Sequence, residues 1–164
     1  VVGTVVDQII ASGAIADLDA PTVAELTAGT SIRMECHMVP GTLSHPRDGG
    51  TADISSACED ESSSIAASTT NGDASAMYYW ETPDGGEAWS TMDDTIRPRP
   101  TRTEFVCRSG FSGAGGAPVA GDIVEVRQIQ IVSRAMETPE GEEGQRFAST
   151  WSIVSYRPDV AVAA

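Results

Sequence analysis

The chain of 164 residues carries 24 acidic and 10 basic side chains, a formal charge of −14 at neutral pH. Every basic residue is an arginine, which excludes Schiff-base chemistry, a phosphate-loop lysine and a lysine general base. So acidic a surface also argues against tight nucleic-acid binding, because that affinity comes from cations that displace condensed counterions.

The length fits one domain over 1–164, and the composition, 40% apolar but 5% aromatic, points to a core of small aliphatic side chains. Frequent glycine and proline favour turns over long helices. Cys36, Cys58 and Cys107 are odd in number and widely spaced, unlike a disulfide framework. No run approaches the roughly 20 apolar residues that cross a bilayer, and the first residues lack the pattern of a signal peptide.

In chain order, residues 1–19 read as an extended arm with apolar Val5, Val6, Ile9 and Ile10. Pro21 and Gly29 punctuate a short helical turn. Ile32, Met34, Cys36 and Met38 alternate with Arg33, Glu35 and His37, the period of a half-buried strand. The Pro-, Gly- and Ser-rich stretch that follows, about 40–61, predicts a long loop. Strands are expected at 63–69 and, with Met77, Tyr78, Tyr79 and Trp80, at 76–81.

Asp84 is a plausible N-cap for one short helix through Met92, its apolar positions Ala88, Trp89 and Met92 lying on one side. Arg97-Pro98-Arg99-Pro100 is an extended connector. A strand over 103–108 places Phe105 and Cys107 on one face, and a glycine-rich loop over 110–121 follows. In 122–134, Val124 and Val126 occupy one face and Ile129 and Ile131 the other. This slip near Arg127 and Gln128 calls for a β-bulge or for cover on both faces. With the alternating stretch 146–156, this makes a long terminal hairpin around an acidic turn. The expectation is a mainly β domain with one short helix and long loops.

No catalytic constellation emerges. Cys36, His37, His45 and Cys58 lack zinc-knuckle spacing, and the ordinary reading is a buried thiol with two exposed imidazoles. Glu59-Asp60-Glu61 and the group Glu137, Glu140, Glu142 and Glu143 do not follow the spacing of a calcium loop and read as solvated acid. Gly110, Gly113, Gly115 and Gly116 open no helix and lack a lysine, so they do not form a phosphate cradle. No serine sits in a nucleophile elbow that the two histidines serve. Arg97, Arg99 and Arg102 concentrate positive charge on a stiff segment, which suits either a plain connector or an electrostatic latch for the acidic loops of a neighbouring copy.

The segment Ala20-Pro-Thr-Val-Ala-Glu-Leu-Thr-Ala-Gly-Thr-Ser-Ile32, the phrases Phe105-Val-Cys-Arg-Ser-Gly110 and Gly121-Asp-Ile-Val-Glu-Val126, the Arg146-Phe147 strand and the short apolar C-terminal tail resemble tail tube proteins of long-tailed bacteriophages of actinobacteria. The resemblance implies a β-sandwich or partial barrel with one flanking helix. It implies hexameric rings stacked into a tube around a tape-measure protein, with terminator and baseplate or tail-tip partners, no cofactor and no enzymatic activity. Such a subunit assembles in the host cytoplasm and resides in the virion, and DNA passes through the tube without specific binding. On this reading Glu59, Asp60, Glu61, Arg97, Arg99, Arg102, Glu137, Glu140, Glu142 and Glu143 are candidate interface or lumen residues. The alternatives are a terminator, a capsid decoration protein or a calcium-dependent ligand-binding β-sandwich.

Overall fold

The computed structural model describes residues 6–10, 15–28, 31–54, 63–81, 85–138 and 144–164. Its elements are β1 (Val6–Ile10), α1 (Val23–Leu26), β2 (Ser31–Arg33), β3 (Arg47–Ile54), β4 (Ser63–Asn71), β5 (Ala74–Tyr79), α2 (Gly86–Thr91), β6 (Arg102–Cys107), β7 (Ile123–Glu137) and β8 (Arg146–Ala161). Six strands form one antiparallel sheet in the order β2-β1-β6-β7-β8-β5, and β3 and β4 form a separate two-stranded sheet. The large sheet curls into a half-barrel, and the mainly β class expected from the alternation holds.

The curl has a local cause. Between β7 and β8 the register shifts at Val124/Val126, Gln128/Ile129 and Ile131/Ser133. Each irregularity adds twist and bends the long hairpin. Near the second, Gln128 pairs with Ser155 and Ile129 with Ile153, so the extra residue is Val154 of β8 rather than a residue of β7. β7 itself is covered on both faces. Its Val124 and Val126 join Leu26, Phe105, Phe111 and Val160 in one core cluster. Ile129 and Ile131 join Ile9, Tyr78, Phe147 and Trp151 in the other.

Three local expectations need correction. Val6–Ile10 is not a free arm but an inner strand, paired to β2 on one side and β6 on the other, with Ile9 buried. The strand expected through Met38 stops at Arg33, where pairing with β1 ends at Gln8, and Met34–Cys36 forms a 3-10 turn that buries Met34. The stretch taken for a loop contains β3, made a strand by its ladder to β4 despite Gly49 and Gly50. A register shift between Gly50 and Thr51 absorbs the irregularity.

The two short α-helices among the described residues fall where the sequence placed a helical turn after Pro21 and a helix ending near Met92. In α1, Thr22 and Glu25 make a reciprocal capping box, which explains why four residues suffice for a helix there. α2 starts from Gly85, whose φ of 92° suits glycine, and no side chain caps it. Asp84, the expected cap, lies outside the described residues.

Candidate assembly surfaces

The β3–β4 hairpin stands apart from the large sheet, its ladder running only between its own strands. Its foot is closed by the Gly72 N–H donating to the Pro46 carbonyl at 3.0 Å. His45, Pro46, Arg47 and Asn71 of this foot face Arg108, Glu125, Arg127, Ile153 and Tyr156 across a cavity of about 210 Å³.

Beneath the cavity the large sheet carries a buried ionic cluster. Antiparallel pairing sets Ile9, Glu104, Arg127 and Tyr156 in one row across β1, β6, β7 and β8. Neighbours in such a row share a face. Glu104 is fully buried and Arg127 is 3% exposed. His45 Nε2 donates to Glu104 Oε1 at 3.0 Å, and its ring meets the Trp151 ring edge-on at 6.1 Å. Arg127 Nη1 lies 3.7 Å from Glu104 Oε2, and neither of these atoms makes a hydrogen bond. Arg127 Nη2 and Arg108 both donate to Glu125. Burial alone would raise the Glu125 carboxyl, but the Arg108 hydrogen bond and the charges of Arg127 and Arg108 outweigh it and hold the group below the usual carboxylate range. Tyr156 sits between two guanidiniums, Arg47 at 4.8 Å and Arg127 at 5.2 Å from its ring centroid.

The sequence reading missed this cluster. Its one visible sign was a charge at the centre of each of two apolar strands, Glu104 and Arg127. The histidines also depart from the ordinary reading offered for them. His45 is nearly buried on Glu104, and His37 Nδ1 lies 2.6 Å from Glu81 Oε1 at the β5 end of the sheet. Cys36 is exposed rather than buried, while Cys107 is buried. Cys58 lies outside the described residues.

The arginine segment does not form one row. Arg97 is exposed and folds back on the Asp94 and Ile96 carbonyls. Arg99 lends its carbonyl to Gln130 Nε2 at 3.4 Å. Arg102 starts β6 half-buried; desolvation lowers its pKa and the nearby Asp93 opposes that. Arg134 stacks on Trp89 at 3.9 Å and reaches Asp93 and Asp94, tying β7 to the end of α2. Among the acidic candidates, Glu137 is exposed at the end of β7 opposite Arg146. Glu59, Asp60, Glu61, Glu140, Glu142 and Glu143 lie outside the described residues, the first three in the stretch joining β3 to β4.

The glycine-rich loop before β7 is organised by one carboxylate. Asp122 accepts from the Ser112 N–H, the Ser112 hydroxyl and the Val119 N–H. Burial pushes its pKa up, but the hydrogen bonds from Ser112 and Val119 outweigh that and bring it below the ordinary value. A depressed folded-state pKa means the stabilisation is complete above about pH 3.9 and fades as pH falls through the folded value. Asp122→Asn is expected to cost about 1 to 2 kcal/mol at pH 7, the scale of a hydrogen bond to a charged group. Thermal melts from pH 7 to 2.5 should show the two proteins converging in acid; a gap that is constant with pH would refute this role for the charge.

Among the described residues no group of three or more His, Cys, Asp or Glu is arranged to hold a metal ion. What the fold offers is a curled sheet, a separate hairpin and a charged foot: the parts of a structural subunit that joins others. The chain belongs to the phage tail tube protein family, whose model matches residues 5–164. It is a structural, non-enzymatic component of the virion tail. Comparison with curated proteins gives no match. Among solved structures, the chain is similar to one in the cryo-EM structure of the anti-feeding prophage baseplate, 6-fold symmetrised. The TM-score is 0.59 at 8% identity, over 96% of this chain and 93% of that one. A second similar chain, from the tail of an empty GTA particle with C6 symmetry, gives a TM-score of 0.49 at 12% identity, over 80% of this chain and 87% of that one.

Proposed function

We propose that six copies of this chain close into a ring and that the rings stack into the tail tube of a long-tailed, siphovirus-like phage of actinobacteria. The observation that carries this is the family match over nearly the whole chain. The 6-fold symmetry named for the anti-feeding prophage baseplate supports six as the ring number. In a ring, the half-barrel sheets of neighbouring copies pair or abut to make a continuous inner wall, which covers sheet edges that a monomer leaves open.

The tube surrounds a tape-measure protein, is closed by a terminator at one end and a baseplate or tail tip at the other, and is built in the host cytoplasm. With a net charge of −14, the subunit presents carboxylates that repel phosphate, so DNA passes along the lumen without sticking. The acidic groups Glu59-Asp60-Glu61 and Glu137, Glu140, Glu142 and Glu143 serve as lumen or interface carboxylates. Arg97, Arg99 and Arg102 serve as contacts to a neighbouring copy.

Negative-stain electron microscopy of the purified protein at rising concentration tests the reading. Rings and tubes of open-ended length are expected. Single rings that never stack point to a terminator, and a strictly monomeric protein at every concentration overturns the proposal.

A further inference from the structure

Asn71 is the sole asparagine of the chain, and a glycine follows it. The pair is chemically labile, because the Gly72 backbone nitrogen has no side chain beside it to hinder attack on the Asn71 side-chain carbonyl carbon. Packing explains why glycine stands there: a Cβ at Gly72 would lie 2.9 Å from Pro46 Cγ at the foot of the β3–β4 hairpin. Water reaches the site, since Asn71 is half-buried and lines the cavity of the foot. Two features of the closed foot hold the reaction back. Asn71 ends β4 as the register partner of Arg47, and a succinimide ring needs the Cα–Cβ and C–N bonds nearly eclipsed, which extended backbone does not give. The Gly72 N–H also donates to the Pro46 carbonyl at 3.0 Å, which occupies the nucleophile.

We propose that Asn71-Gly72 is a spontaneous deamidation site of the folded protein, gated by local opening of the hairpin foot. The foot can open by itself. β3 and β4 pair with each other alone, so the six-stranded sheet keeps its ladders when they part, and a lone two-stranded ribbon is marginal in water. Such elements open at a free energy well below that of global unfolding. In the open foot, solvent hydroxide takes the Gly72 amide proton and the nitrogen bonds to Asn71 Cγ. The Cγ–Nδ2 bond breaks, and ammonia leaves with a proton from water. A second water opens the succinimide at either carbonyl, giving aspartate or its β-linked isomer at position 71 without oxidation or reduction. Either product changes the foot. Aspartate sets a carboxylate across the ladder from Arg47, on the same face. The β-linked isomer adds a carbon to the backbone, which draws Gly72 off the Pro46 carbonyl.

Incubating the full chain in mildly alkaline buffer made with oxygen-18 water tests this, with peptide mapping by mass spectrometry and ammonia release as readouts. The folded protein is expected to convert at position 71 and to take up oxygen-18 there. Its rate should lie at least about tenfold below that of the chain in strong urea, an opening cost of about 1.4 kcal/mol or more. Urea below the unfolding transition should leave the native rate nearly flat, because local opening exposes little surface. Asn71→Gln is expected to melt like the wild type and to release no ammonia over the same period. A native rate equal to the unfolded one overturns the gate. A native rate that climbs with urea as steeply as the unfolding equilibrium overturns local opening, since conversion then waits for the whole fold to come apart. Ammonia from Asn71→Gln at the wild-type rate, or no conversion even of the unfolded chain, overturns the site.

Discussion

Glu104→Ala is expected to destabilise the protein by about 3 to 5 kcal/mol, the cost of stranding a buried charge by removing its partner. Glu104 has no exposed surface, and it stands between two cationic or protonatable groups, His45 at 3.0 Å and Arg127 at 3.7 Å. Removing it leaves the Arg127 guanidinium buried with Glu125 as its sole acidic partner among the described residues, and leaves His45 Nε2 without its acceptor. A second substitution separates the charge effect from the loss of volume. Glu104→Leu combined with Arg127→Met replaces the pair with apolar side chains of similar length, and such swaps are often neutral or stabilising. Urea denaturation of Glu104→Leu, Arg127→Met and their combination should therefore give a strongly non-additive cycle, with the double variant recovering at least half of the Glu104→Leu loss. If the double variant is as unstable as the sum of its parts, the pair matters for packing alone. His45 also links this cluster to the hairpin, because it lies two residues before β3. Urea midpoints followed by a probe on the hairpin and by the fluorescence of the core tryptophans should shift together in Glu104→Ala.

This cluster also shows where reading from sequence stops. The period-two alternation in β6 and β8 was legible because each strand buries a consistent row: Phe105 and Cys107 in one, Phe147 and Trp151 in the other. The slip in β7 was legible too, and of its two offered explanations cover on both faces holds, since the extra residue near Gln128, Val154, belongs to β8. β3 was not legible. Gly49, Gly50 and Asp53 have poor strand propensity, and the segment is extended because β4 pairs with it, a tertiary cause that no local window contains. The Glu104–Arg127 pair was hidden for the same reason: 23 positions separate the residues along the chain, and only the β6–β7 register makes them neighbours. The arm was misread because Val6–Ile10 finds both of its partners far downstream or across a turn, in β6 and β2. Composition, in contrast, does not depend on register, and the acidity and the missing lysines carried straight through to the functional reading.

Excising the hairpin should leave a folded protein that cannot build a tube. Arg47 and Asn71 are direct register partners, so residues 48–70 can be replaced by an Asn-Gly turn, the two-residue connection that matches the twist of antiparallel strands. The six-stranded sheet keeps every one of its ladders, because β3 and β4 pair with each other alone. The melting temperature is thus expected to move by no more than a few degrees. A lone two-stranded ribbon is marginally stable in water, and its unpaired edges are a hazard to a monomer. Keeping such an element makes physical sense where a neighbour covers it, so its loss should remove assembly at any accessible concentration. Mixed with wild type at a ratio of about 1:20, the excised chain should interrupt growth of any tube that it enters. Tube lengths in electron micrographs should then shorten steeply with the fraction added. Unchanged lengths alongside a normally folded excised chain would mean that assembly does not need the hairpin.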